Sequence, residues 1–159
     1  TEQALLILGR KPSQYCFAHI RQLEDRSKLL KLKAVTPDSN KVLSTVEEWL
    51  EINLGLTNQK IGISGQAVKE NKLILIKGKE NLAKNKNYIE LSEKTEAQIS
   101  IPLRDQKEQA IGVLSLETDD QNDFEDQDKI NALKNLANAA SSAVISSNLL
   151  EKAEKELED

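Results

Sequence analysis

Nucleophilic and acid–base chemistry is most often built from cysteine and histidine, and this sequence holds one of each, Cys16 and His19. They sit in a stretch where Tyr15, Phe17 and His19 alternate with Cys16, Ala18 and Ile20, the period-2 pattern of a β-strand. Strand neighbours three apart point to opposite faces, so the thiol and the imidazole cannot form a nucleophile–base pair. His19 is therefore read as a structural residue, no catalytic residue is assigned, and the chain is expected not to be an enzyme. A metal site needs several converging ligands, and the acidic segment 117–128 lacks the glycine and regular spacing of a calcium loop, so no metal is expected. Charge is more suggestive over residues 60–94, where eight lysines face four glutamates. That imbalance reads either as a solvated surface or as a basic lid over a site for an anionic ligand.

These groups must be positioned by a small set of elements. Residues 1–8 read as the end of an incoming helix, with Leu5, Leu6 and Leu8 as helix formers and Gly9 and Pro12 as its stop. The Cys16/His19 strand and a second run with Leu30, Leu32 and Ala34 on one face form a hairpin across the charged turn 24–28. After a Pro37-Asp38-Ser39 loop, Val42, Val46, Trp49, Leu50 and Ile52 recur at helical spacing. Gly62 and Gly65 bracket Ile63 and Ser64 in a tight turn, residues 66–69 start a short helix, and residues 73–76 are a compact strand. The polar segment 77–92, anchored by Tyr88, Ile89 and Leu91, is expected to be the most mobile part of the fold.

A second hairpin follows, Ile99, Ile101 and Leu103 on one strand and residues 110–117 on the other. Gly112 inside a strand marks a bulge or a close backbone approach, and Pro102, lacking a donor, belongs at an edge or bulge. From Asp128 onward there is neither Gly nor Pro, and Ile130, Leu133, Leu136, Ala137, Ala140, Ala143, Val144, Ser147 and Leu150 mark the stripe of one long helix. Phe124 is expected to pack at its start while Asp126 or Asp128 caps it. At about 1.5 Å per residue this helix outruns the domain, so residues 151–159 project, with Leu150 and Leu157 continuing a seam for a partner helix.

Composition bounds the function. The 159 residues suit one domain, and 38% hydrophobic with 30% charged residues is an ordinary globular balance. The longest apolar stretch, residues 4–8, is far too short to span a membrane. The net charge of −4 gives no basic face for nucleic acid. A single cysteine cannot form an internal disulfide, which favours the cytoplasm, and a start at Thr1 reads as a piece of a longer protein.

The order and punctuation of these elements resemble the GAF family of small-molecule sensor domains. The residues that carry the likeness are Gly62-Ile63-Ser64-Gly65-Gln66-Ala67-Val68, the strand 73–76, Ser100-Ile101-Pro102-Leu103, Ile111-Gly112-Val113-Leu114-Ser115-Leu116, and Phe124 with Asp128 before the long helix. The resemblance implies an α/β domain of the α+β kind: a central antiparallel sheet of about six strands, terminal helices on one face, and a ligand pocket under loops and short helices on the other. Its boundaries are an incoming helix at 1–10, the GAF domain at 11–150 and the projecting helix end at 151–159. By position it nominates Ile63, Ser64, Tyr88, Thr95, Ser100 and Ser115 as ligand-binding, an aromatic ring for stacking and hydroxyls for orientation.

Family variants with known chemistry depart from this chain. Bilin-carrying members use a Cys followed by His late in the domain, whereas Cys16 and His19 lie in the first hairpin. Members that reduce free methionine sulfoxide need more cysteines. Cyclic-nucleotide binders carry Asn-Lys where this chain has Thr118-Asp119, and Glu where it has Lys129, which argues against such a ligand; haem is not expected either. The function implied is a regulatory sensor domain of a larger signalling protein, of sensor histidine kinase or nucleotide cyclase type, paired as a homodimer through its terminal helices and coupled to an output domain. The alternative is a ligand-free dimerisation or scaffolding module.

Overall fold

Alternation of apolar and polar residues on β1 (Cys16–Leu23), β5 (Ala97–Arg104) and β6 (Ala110–Thr118) builds the centre of an antiparallel sheet in the structure, a computed structural model that describes residues 2–9, 16–24, 27–36 and 51–158. With β2 (Leu29–Val35), β3 (Glu51–Asn53) and β4 (Ile74–Lys77), six strands run in the order β3-β2-β1-β6-β5-β4. The helices are α1 (Glu2–Ile7), α2 (Gly62–Glu70), α3 (Lys79–Lys84) and α4 (Gln127–Glu158), with a turn of 3-10 helix at Gln121–Phe124. This is the α+β architecture expected, with both terminal helices on one face.

That face holds the main core. Ala97, Ile99, Ile101 and Leu103 of β5 and Leu114 and Leu116 of β6 meet Leu5 and Leu8 next to Ile130, Leu133 and Ala137. Cys16 and Ala18 lie in the same core. The alternation on β1 therefore sends Cys16 to the helix side and His19 to the other, as the strand period requires. The buried stripe of α4 runs Ile130, Leu133, Ala137, Ser141, and Ala143 and Ser147 of the expected stripe are exposed instead. Ser141 repays its burial twice, accepting from the Arg104 amide at 3.1 Å and donating to the Ala137 carbonyl at 2.9 Å. At 32 residues α4 is roughly 48 Å long, and its last turns, 151–158, are exposed.

Two backbone details confirm readings made from single residues. A Cβ on Gly112 would lie 2.5 Å from the Arg21 carbonyl oxygen, a contact that only glycine avoids. Pairing of β4 with β5 stops at Ile74–Ser100, so Pro102 lies beyond the end of β4, where its missing donor leaves no gap in the ladder.

Three local expectations are corrected. Ile52 belongs to strand β3, which pairs Leu30 with Ile52, and not to a helix; residues 37–50 lie outside the described part. A register shift between Ile20 and Arg21 puts Leu32 opposite Arg21 but Ala34 opposite Ile20, so Ala34 leaves the face shared by Leu30 and Leu32. Helix α2 begins at Gly62 itself, whose φ of 71° suits glycine, so Ile63 and Ser64 form its first turn.

Candidate functional site

On the sheet face away from the terminal helices, register sets side chains of neighbouring strands side by side. Phe17, Glu117 and Gln98 form one row across β1, β6 and β5, and His19, Ser115 and Ser100 the next, with Arg21 beyond His19. In most antiparallel sheets such a polar face is solvated. Here it is covered by α2 and the segment after α3, and His19, Arg21, Gln98, Ser100, Ser115 and Glu117 are all buried. A cleft of about 20 Å³ remains, floored by His19, Arg21, Gln98 and Glu117 and walled by Ile52, Ile63, Ser64, Ile89 and Leu91. Two larger hollows, of about 490 and 590 Å³, are open surface grooves, and neither touches these buried polar groups.

The electrostatics follow from burial. Glu117 accepts a hydrogen bond from Thr95 Oγ1 at 3.2 Å. Loss of water pushes its carboxyl up to about 8, against the opposing pull of Thr95 and the Arg21 charge. Burial also lowers Arg21 to about 10, partly offset by Glu117, so the guanidinium stays charged at neutral pH. His19 is held well below its usual value by burial and by Arg21, and is neutral there. Its ring lies against Phe17, centroids 6.0 Å apart, and among the described residues its buried Nδ1 has no hydrogen-bond partner.

Of the six residues nominated from sequence, Ile63 and Ser64 line the cleft. Ser115 and Ser100 lie behind Ser64 in a chain of hydroxyls, Ser64 Oγ to Ser115 Oγ and Ser115 Oγ to Ser100 Oγ, each 2.7 Å. Thr95 reaches the site through Glu117. Tyr88 is displaced from its expected place: it packs with Ile63 and Leu82 in a separate apolar cluster, and Ile89 and Leu91 take the wall position. The lysines of residues 60–94 do not line the cleft. Lys72, Lys77, Lys79 and Lys84 form ion pairs with Glu70, Glu125, Glu96 and Glu80 on the surface, as the solvated reading expects, while Lys60, Lys69 and Lys86 line the open groove of about 490 Å³.

Sequence reasoning missed Arg21, Gln98 and Glu117 and took His19 as structural only. A signal was present: Phe17-His19-Arg21, Gln98-Ser100 and Ser115-Glu117 are polar faces of strands whose opposite faces are continuous core. Among the described residues no cluster of His, Cys, Asp or Glu fits a metal.

Comparison with known proteins agrees with this architecture. The family model described as GAF domain matches residues 3–144. No curated protein matches the chain. Among solved structures the chain is similar to a type II free methionine-R-sulfoxide reductase from Thermoplasma acidophilum, with 21% identity, TM-score 0.64, and 89% of this chain and 86% of that one covered. It is also similar to the GAF domain of an Acinetobacter phosphoenolpyruvate-protein phosphotransferase, with 16% identity, TM-score 0.63, and coverages of 86% and 74%. A free methionine-R-sulfoxide reductase from Neisseria meningitidis matches with 18% identity, TM-score 0.62, and coverages of 84% and 70%. Two of these three are enzymes, which corrects the expectation that the chain is not one: the same fold supports catalysis, and an enzymatic role is compatible with it. With its family model spanning most of its length, the chain belongs to the GAF domain family.

Proposed function

We propose that the chain is the regulatory sensor domain of a larger cytoplasmic signalling protein, of sensor histidine kinase or nucleotide cyclase type, that binds a small ligand in the cleft and signals through α4. The observation that carries this reading is the position of β1 between the two. His19 and Arg21 point from β1 into the cleft, while Gln22 on its other side donates to Asn148 of α4 at 2.8 Å. A ligand that favours one position of β1 thereby acts on the helix through a direct contact, and shifts the equilibrium by its differential affinity for the two arrangements. Among the described residues no helix is long and apolar enough to cross a membrane.

The test is thermal unfolding of the domain against a panel of small metabolites. Binding to the folded state alone raises Tm, so at least one compound is expected to raise it by several degrees, and Gln98→Met is expected to remove that rise. A panel without effect on either protein counts against sensing.

A second reading, a dimerisation module that needs no ligand, is favoured by the small volume of the cleft and by the exposure of Leu149, Leu150 and Leu157 at 64%, 61% and 87% on the last turns of α4. Both readings use a homodimer through the terminal helices. In sedimentation equilibrium the domain is expected to dimerise, and Leu150→Asp to shift it toward monomer by at least tenfold in dissociation constant with an unchanged circular dichroism spectrum. Equal masses for the two proteins across dilution would remove the helix seam from either account.

A further inference from the structure

We propose that the open groove outside α2 binds a polyphosphate, a guest with two or more adjacent phosphate groups such as a nucleoside diphosphate or pyrophosphate, through Lys60, Lys69 and Lys86. This site is separate from the cleft and does not depend on what the cleft binds.

The lysines over residues 60–94 divide by their partners. Lys72, Lys77, Lys79 and Lys84 each reach a glutamate within 3.5 Å. Lys60, Lys69 and Lys86 come from three segments, the chain after β3, the outer face of α2 and the chain after α3, and converge on one groove. None of the three has an ion pair or a side-chain hydrogen bond among the described residues. In a chain of net charge −4 this is a local reversal of sign, and the mutual repulsion of gathered cations is relieved by an anion between them. The carboxylate on the wall does not supply that anion. Glu70 is engaged by Lys72 at 2.9 Å and by Gln66 at 3.0 Å. Those two bonds, Lys72 first, hold its carboxyl below its ordinary value, and only a weaker attraction reaches Lys86.

The walls are fixed without a guest. The Gly62 amide at the start of α2 donates to the Asn87 carbonyl at 2.9 Å, and Asn85 Nδ2 donates to Gln66 Oε1 at 3.1 Å. On the third side the Leu54 amide donates to the Lys28 carbonyl at 2.9 Å, and the Gly55 amide to Asn53 Oδ1 at 2.9 Å. Ordering the lysine side chains is then the main conformational cost of binding.

Size and lining choose the class of guest. The groove holds about 490 Å³, within the range of roughly 300–1,000 Å³ usual for small-molecule sites. A single phosphate would leave part of that space and part of the lysine charge unused, whereas a chain of phosphates concentrates several charges within reach of all three ammonium groups. Lysine binds such a guest as a point charge, with no need for the planar fork of arginine. The remaining lining is largely polar, and Thr57, Asn58 and Gln59 make no side-chain hydrogen bond among the described residues and are free to donate. Leu56, 44% exposed, and Ile61 are its apolar members. Two aliphatic side chains suffice to rest a nucleoside against, but fall short of the apolar centre that a docked protein segment requires.

The experiment is an NMR titration of the ¹⁵N-labelled domain with pyrophosphate, adenosine diphosphate, inorganic phosphate and adenosine, at matched ionic strength and without divalent cations. Dissociation constants of about 10 μM to 1 mM are expected for the two polyphosphates, as befits an exposed groove. Saturable shifts are expected at the amides of Lys60, Lys69 and Lys86, with affinity falling about fivefold between about 20 and about 150 mM salt. Lys69→Gln and Lys86→Gln are each expected to weaken binding about threefold, and together about tenfold. Lys134→Gln, the same change of charge on α4 across the sheet, is expected to leave it unchanged, as is Gln98→Met in the cleft. Tighter binding of adenosine diphosphate than of pyrophosphate assigns the groove to a nucleotide; equal or weaker binding assigns it to the phosphate chain alone. Equal affinity for inorganic phosphate and pyrophosphate would overturn the proposal, as would adenosine binding as tightly as its diphosphate. So would an equal loss in Lys134→Gln, or a glutamate-rich peptide that shifts the groove while both polyphosphates fail. Loss of binding in Gln98→Met would move the guest to the cleft and overturn the separate site, while failure of the polyphosphates alone leaves the sensor reading standing.

Discussion

Between pH 6.5 and pH 8 the domain is expected to lose about 2 kcal/mol of unfolding free energy, and Glu117→Gln is expected to stay level across the same window. The carboxyl of Glu117 is 1% exposed, and burial raises it from 4.5 to about 8. A folded-state value above the unfolded one means that the folded protein holds the proton after the unfolded chain has released it. The stabilisation is therefore complete below about pH 4.5 and is lost as pH rises to about 8. His19 works in the opposite sense. Held neutral by burial and by Arg21, it contributes stability that is present above its unfolded value near 6.5 and lost as acid protonates the unfolded chain. Below pH 6.5 the two slopes oppose each other; above it Glu117 acts without that offset, which fixes the window. Urea unfolding at closely spaced pH values reads the difference directly. Parallel curves for the two proteins would show that Glu117 is ionised in the folded state throughout.

How much of this was legible in the residues depends on whether the cause was local. The long helix was readable because a run without Gly or Pro and with apolar residues at helical spacing needs no other part of the chain to define it. Gly112 and Pro102 announced their backbone roles because each lacks something, a side chain or a donor, that the neighbouring strand would otherwise meet. Strand β3 was misread as helix because its three residues gain strand structure only from β2, more than twenty positions away, and Ile52 by itself fits either period. Arg21, Gln98 and Glu117 were overlooked for a related reason. Polar residues on alternating strand positions normally mean water, and what buries these is a helix and a loop contributed by residues 61–95. Tyr88 was nominated for stacking on a ligand, yet the short helix α3 brings Leu82 beside it and captures the ring in an apolar cluster. Ser64, Ser100 and Ser115 were nominated by position in the GAF resemblance, and the pairing of Ser100 with Ser115 across β5 and β6 sets two of them side by side.

Phe124→Ala is expected to cost about 3–5 kcal/mol of stability, the largest effect of any single truncation discussed, without changing the affinity of the cleft. The ring is 2% exposed at the end of the 3-10 turn and belongs to the core between the sheet and α4, on the face opposite His19 and Arg21. Beside it the Asp126 carboxylate accepts from the Asp128 amide at 2.8 Å and caps α4, so one residue fixes the entry of the helix by packing and its neighbour by a hydrogen bond. Removing the cap in Asp126→Ala is expected to cost only about 1 kcal/mol, because exposed capping bonds exchange with water whereas a cavity in the core does not refill. Comparing the two by urea unfolding separates packing from capping as the cause of helix placement. A Phe124→Ala protein as stable as the parent would show that this ring does not carry the packing of α4 on the sheet.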